Sequence, residues 1–160
     1  MKLRFIIFFF LLCFANITSQ TIPYTVPFGY TVTVMVARVI DGDTFVTTDS
    51  IRVRLLGVDT PELNKGEDFA VEAKELTECA INGKVVRLTF ETETRDIFNR
   101  VLAYVWVIDN YGKVSLFLQA ELLKYGLARI RYYPEGERYY ELFYNLRRTA
   151  MKNNLGIWSK

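Results

Sequence analysis

The most constraining pattern in this chain is the run of β-branched residues between Thr31 and Leu56. Val32, Val34, Val36 and Val39 fall within one stretch from Thr31 to Ile40, which Asp41-Gly42 ends. A second stretch from Thr44 to Thr48 is closed by Asp49-Ser50. A third, Ile51 to Leu56, sets Ile51, Val53 and Leu55 against Arg52 and Arg54. Three strands joined by turns this short make a meander.

Pro61 stops the third stretch, and Asn64-Lys65-Gly66 forms a loop before a helix expected from about Asp68 to Ile81, with Ala70, Ala73, Leu76, Thr77 and Ala80 at helical spacing. Asn82-Gly83 ends that helix. Lys84 to Phe90 and Val101 to Ile108 supply two more strands, separated by a polar loop from Glu91 to Asn99. Ser115 is expected to cap a helix running through Tyr125, with Gly126 at its end. A last helix, about Glu137 to Asn153, should bury Tyr140, Phe143, Tyr144, Leu146 and Met151. The class is α+β. Five strands with about three interposed helices match the five-stranded Greek-key barrel of the OB-fold, whose rim commonly binds polyanions.

The first residues have a separate explanation. Lys2 and Arg4 precede an unbroken apolar run from Phe5 to Ala15, followed by polar Asn16 to Ser19. This pattern reads as a secretory signal peptide over residues 1–19, cleaved near Ser19-Gln20. The run falls short of the ~20 residues a membrane span needs, so an uncleaved anchor is the weaker alternative. Lipidation at Cys13 is weaker still, because Leu11 and Leu12 stand where a small residue is expected. Residues 20–30, with Pro23, Pro27 and Gly29, read as a leader, and residues 31–160 as the domain. A secreted protein, extracellular or periplasmic, with no stable membrane association is expected.

The full chain of 160 residues is 51% apolar, ample for one core. It carries 20 basic and 18 acidic residues, and loss of Lys2 and Arg4 leaves 18 of each. A near-neutral protein has no global attraction for a polyanion, so phosphate affinity has to come from clustered arginines, with Arg129, Arg131, Arg138, Arg147 and Arg148 as candidates. For the last three a solvated helix face is the plainer reading. Cys79 is the sole cysteine of the mature domain and has no disulfide partner. It reads as a small buried helix residue. The chain has no histidine. That excludes Ser-His and Cys-His catalysis and argues against a zinc site, leaving carboxylate, Lys or Tyr as the general base.

Two segments concentrate the remaining chemistry. Asp41-Gly42-Asp43-Thr44 is followed by Arg54-Leu55-Leu56-Gly57-Val58-Asp59-Thr60-Pro61-Glu62. Turn chemistry explains Asp43 or Asp59 taken alone. As a pair at strand ends, 16 residues apart and each followed by Thr, they suit a hard divalent cation, to which Thr60 can add its backbone carbonyl. Arg54 interrupts an otherwise apolar stretch, and a guanidinium there must face a carboxylate or a substrate phosphate. Arg100 opens another strand, and two planar forks can clamp a phosphoryl group. Glu62 is the one remaining carboxylate placed to activate a water.

These segments, with Arg95-Asp96-Ile97-Phe98-Asn99-Arg100 and the strand from Val101 to Tyr104, resemble the thermonuclease (staphylococcal nuclease) family. The similarity runs from about Val34 to Trp158 and includes Tyr125-Gly126-Leu127-Ala128 and the closing Leu155-Gly156-Ile157-Trp158. The resemblance implies calcium ligands at Asp43, Asp59 and the Thr60 carbonyl, phosphate-binding arginines at Arg54 and Arg100, a general base at Glu62 and a base-contacting aromatic at Tyr132. It implies cleavage of DNA and RNA to 3′-phosphate products by a calcium-dependent enzyme, and a monomer is expected. Four departures stand out. Phe98-Asn99-Arg100 replaces a Tyr-Gly-Arg pattern, the loop from Leu63 to Glu67 is short with one lysine, and Gln119 stands where asparagine is common. Pro134 also replaces a second aromatic. The readings from other classes are a non-catalytic OB-type module binding nucleic acid or a protein, and a calcium-stabilised structural domain.

Overall fold

The structure, a computed structural model, describes residues 29–132 and 137–159. The expected signal peptide, most of the leader and Pro134 lie outside the described residues. The three expected meander strands form as β1 (Thr31–Asp41), β2 (Thr44–Thr47) and β3 (Arg52–Leu55), antiparallel in sequence. Strands β5 (Val85–Thr89) and β6 (Val101–Ile108) follow, with β5 antiparallel to both β1 and β6. Closure comes from β3 lying parallel to β6, with Val53, Arg54 and Leu55 opposite Val101, Leu102 and Ala103. The circuit β3-β2-β1-β5-β6 is therefore a five-stranded barrel with no open seam.

Alternation fills the barrel. Val32, Val34 and Val36 point inward, and a register shift after Val36 advances the pattern by one residue so that Val39 is also buried. Phe45, Val53, Leu55, Val86, Leu88, Val101, Ala103 and Val105 complete the interior. Helix α1 (Ala70–Ile81) plugs one end through Ala70, Ala73, Thr77 and Ile81. It starts two residues later than the spacing predicts, because Phe69 takes a left-handed φ of 68° at the N-cap.

The short strand β4 (Val58–Asp59) pairs with β8 (Arg129–Ile130), a two-residue ribbon on the rim. Gly57, at φ 80°, turns the chain between β3 and β4, so Asp59 belongs to the ribbon and not to the end of β3.

Three sequence expectations are corrected. Ser115 does not cap a helix but lies in β7 (Val114–Phe117), paired with β6, where its hydroxyl bonds Val107 O at 3.2 Å. Phe117 stacks on Trp106 with ring centroids 3.9 Å apart, and that pairing outweighs the capping preference of Ser115. Helix α2 (Leu118–Lys124) begins only afterwards, and Gly126 ends it at φ 68° as expected. Helix α3 (Tyr140–Lys152) buries Phe143 and Ala150 fully and Tyr140 and Leu146 partly, while Tyr144 and Met151 are exposed. Its covered stripe is narrow because it packs on α2 and the barrel from one side, and Tyr144 stacks on Tyr140 instead, at 4.4 Å. Cys79 is exposed, since the buried stripe of α1 runs through Ala73 and Thr77 and misses it.

Gln119 has a fully buried amide that spans two strand junctions. Strand β6 pairs with β3 through Val101–Ala103 and with β7 from Trp106 onward. Between those pairings Gln119 Oε1 accepts from Val105 N (3.1 Å), and its Nε2 donates to Ala103 O (2.9 Å). Leu56 N also donates to Ala103 O, so the group that depends on Gln119 is the Val105 N–H. Gln119→Leu is expected to strand that donor in the core and to cost about 1–3 kcal/mol. Thermal melts of the two proteins check this; equal midpoints would show that another acceptor replaces the side chain.

Candidate active site

The site is built on the turn between β1 and β2. Gly42 packs so closely that a Cβ there would lie 2.8 Å from both the Ala73 Cβ and the Thr60 hydroxyl, and Thr77 Oγ1 donates to Gly42 O at 2.7 Å. The glycine that reads as turn chemistry in the sequence is thus required by packing against α1. This contact fixes Asp43, which follows. Its Oδ2 accepts from the backbone N–H of Thr60 (2.8 Å) and from the Thr60 hydroxyl (3.0 Å), while its Oδ1 accepts from Thr44 Oγ1 (3.1 Å).

Arg54 projects from β3 into the same point and is 5% exposed. Its Nη1 donates to Val58 O (2.8 Å) and Leu55 O (3.1 Å) and lies 3.0 Å from Asp43 Oδ2. Its Nη2 donates to Asp59 Oδ1 at 2.6 Å. Of the two alternatives left open for Arg54, the structure shows the carboxylate partner, with both aspartates paired to it, and the same side chain also lines the cleft. Arg131 donates to the same Asp59 oxygen at 2.9 Å. The sequence places Arg131 in a basic cluster but gives no sign that β8 brings it to Asp59.

Charge and burial are in tension here. Burial pushes the Asp43 carboxyl up to about 6; Arg54 opposes this and neighbouring Asp41 adds to it. Burial likewise lowers Arg54 from its usual value, with Asp43 and Asp59 acting to keep it charged. Asp41 accepts the backbone N–H of Asp43 at 3.1 Å, and its Asp-Gly-Asp spacing was the available signal for that role. The carboxylates of Asp43, Asp41 and Asp59 are oxygen donors of the kind a hard divalent cation takes. Among the described residues, however, no three acids are already gathered on one point. Thr60 meets Asp43 through its N–H and hydroxyl.

Arg100 stands next to this cluster, with Nη1 3.5 Å from Thr44 Oγ1. Asp96 holds it: Nε and Nη2 each lie 2.7 Å from Asp96 Oδ2, and the Arg100 backbone N–H donates to Oδ1 at 2.9 Å. Although burial acts to raise Asp96, these bonds keep it below its ordinary value. Glu62 follows Thr60 by two residues on the exposed rim. It pairs with Lys65 at 3.2 Å, and its backbone N–H is bonded by Glu67. Tyr132 is 91% exposed and lines a cleft of about 820 Å³ together with Arg54, Arg100 and Arg131. The structure thus joins Asp43, Arg54, Asp59 and Thr60 directly, adds Arg100 through Thr44, and sets Glu62 and Tyr132 at the edge.

Two outcomes follow for the protein without metal. A buried pair broken on one side costs roughly 3–5 kcal/mol, so Arg54→Ala is expected to lower the melting point strongly. Arg54→Lys should be nearly as harmful, since one ammonium cannot reach Val58 O and both carboxylates. A lysine variant melting like the wild type would refute this. For Asp43, a folded-state value above the ordinary 3.8 means that its stabilising contribution is complete below about 4 and lost as pH rises through about 6. Asp43→Asn should therefore gain on the wild type in melts taken with chelator as pH rises across that window. Parallel curves would contradict the assignment.

Comparisons with known proteins address the family of the chain. The family model for staphylococcal nuclease homologues matches residues 52–160, which takes in Arg54, Asp59, Thr60, Glu62 and Arg100 and begins after Asp43. Thermonuclease of Staphylococcus intermedius is 37% identical over 79% of this chain and 76% of its own. Thermonuclease of Staphylococcus hyicus is 35% identical over the same shares. Endonuclease YncB of Bacillus subtilis (strain 168) is 38% identical over 81% of this chain and 63% of its own. With the family model over residues 52–160, these relatives and the closed barrel together, the chain belongs to the staphylococcal nuclease family and is a nuclease that hydrolyses phosphodiester bonds.

Proposed function

We propose that this nuclease is secreted and calcium-dependent and that it cleaves both DNA and RNA, leaving 3′-phosphate ends. The observation that carries the reading is the Arg54 fork held between Asp43 and Asp59 at the mouth of a cleft that Arg100 also lines. A module that only bound nucleic acid would gain nothing from burying this charge cluster, because exposed arginines serve backbone contacts equally well.

Asp43 and Asp59, with the Thr60 carbonyl, are the residues that would hold calcium, and the ion when bound supplies Lewis-acid polarisation of the phosphoryl group. Arg54 and Arg100 would hold the equatorial oxygens and stabilise the charge that builds on them. Glu62 would take a proton from the attacking water. Its pairing with Lys65 is no obstacle, since both side chains are more than half exposed and such a pair is weak. Tyr132 would stack on a base through a face that every base presents, so sequence would matter little. The reading of residues 1–19 as a signal rests on the sequence alone. Protein recovered from the medium should begin near Gln20 and sediment as a monomer.

The main test is degradation of single-stranded DNA and RNA with calcium and with chelator. Chelator should abolish both, and full activity in chelator would remove the metal. Glu62→Gln should lower turnover roughly 10²–10⁴-fold, the usual worth of a positioned base, with calcium affinity nearly unchanged. Rescue of that variant by excess calcium would make Glu62 a ligand instead.

A further inference from the structure

Beside the arginines, the cleft exposes two apolar side chains to water. Ile97 is 93% exposed and Phe98 71%, and they are consecutive. Leaving adjacent large apolar groups in solvent forgoes burial that a nearby core could have supplied, and such patches mark contact surfaces. The loop that carries them is nevertheless a built turn. Asp96 Oδ1 accepts the backbone N–H of Phe98 (3.0 Å) and of Arg100 (2.9 Å), and Asp96 O accepts that of Asn99 (3.0 Å). Asn99 takes a φ of 60° to close the turn, and Arg95 pairs with Val101 across its base. The same aspartate therefore fixes both the ledge and the Arg100 guanidinium.

We propose that Ile97 and Phe98 form a nucleobase-stacking ledge, a second base subsite opposite in kind to a phosphate contact, which takes an unpaired base of the nucleotide whose phosphate Arg100 holds. The inference rests on the nuclease reading. The Arg100 guanidinium carbon sits 5.5 Å over the Phe98 ring centre, a cation–π contact on one face of a ring that is otherwise exposed, so a phosphate on Arg100 leaves its own nucleoside within reach of the open part of the ring. Phe98 has no hydroxyl to offer a phosphate, only a face, and base–aromatic stacking is sequence-tolerant for that reason. Glu91, Glu93 and Glu137 line the same cleft as the arginines, so its lining is not uniformly basic and suits an uncharged base as well as a phosphate. Tyr132 on the same cleft supplies the first platform, and the ledge makes two. Two stacked bases require a strand that is locally unpaired.

The test is a cleavage ladder. A single-stranded deoxythymidine oligonucleotide carrying one tetrahydrofuran abasic residue is cut by the wild type with calcium under single-hit conditions, and every cut is mapped on a denaturing gel. The wild type should show two dips at fixed offsets from the abasic residue, each roughly 5- to 100-fold, the worth of one stacked base. Phe98→Ala should erase one dip and Tyr132→Ala the other, whereas Phe98→Trp should deepen the first. The melting point of each variant checks the fold. A wild-type ladder with a single dip, or a Phe98→Ala ladder identical to the wild type, overturns the ledge alone. The identical ladder combined with loss of self-association in sedimentation would assign the ledge to contact between copies. A wild type that leaves the strand uncut overturns the nuclease reading and the ledge with it.

Discussion

The positions of Asp43 and Asp59 at the cleft depend on one buried guanidinium. Removing Arg54 from water carries a large desolvation cost, which its hydrogen bonds to Leu55 O, Val58 O and Asp59, and its ion pair with Asp43, must offset together. These partners come from different places: the β1–β2 turn, the end of β3 itself and the β4–β8 ribbon. Satisfying the arginine therefore fixes three segments relative to one another. Barrel closure is a precondition, because Arg54 sits in the stretch of β3 that pairs parallel to β6. That parallel pairing joins strands distant in sequence, so the site is complete only when the barrel is closed.

Much of the architecture was legible because period-two alternation is strong in β1 and β3 and because Gly42, Gly83 and Gly126 mark chain reversals. What could not be read were features decided by a partner distant in sequence. Ser115 is a good cap by local chemistry, yet the stack of Phe117 on Trp106 pulls its segment into a strand. The two-residue strands β4 and β8 carry no periodicity at all; each exists only because the other is there. On α3, the pattern suggested a wide apolar face where the structure covers a narrow one, since the neighbouring helix meets it from one side.

The site was legible to a similar degree. A lone arginine among apolar residues, and aspartates at strand ends, are local signals, and those groups do converge. Arg131 and Asp96 are different. Arg131 reaches Asp59 only through the β4–β8 pairing, and Asp96 clamps Arg100 through a turn whose shape depends on the Arg95–Val101 bridge. Glu62 stands out in the sequence only by elimination, and the fold leaves it on the rim beside Lys65, near the cluster in sequence but not bonded to it.

Where a sequence departs from the rules that make a fold stable, function is the usual reason. Two such departures meet at this cleft. Asp43 and Arg54 are both pushed away from their charged forms by burial, a cost that apolar side chains of similar size would avoid. On the same cleft, Ile97 and Phe98 do the reverse and hold apolar groups in water. Tyr111, exposed to a similar extent, stands by the β6–β7 turn and lines no part of the cleft. Charge withdrawn from solvent strengthens electrostatic action on a phosphate, and apolar surface left in solvent is free to cover a base. The two opposite violations thus suit the two halves of a nucleotide, and Asp96, bonded at once to Arg100 and to the Phe98 backbone, joins them in a single turn.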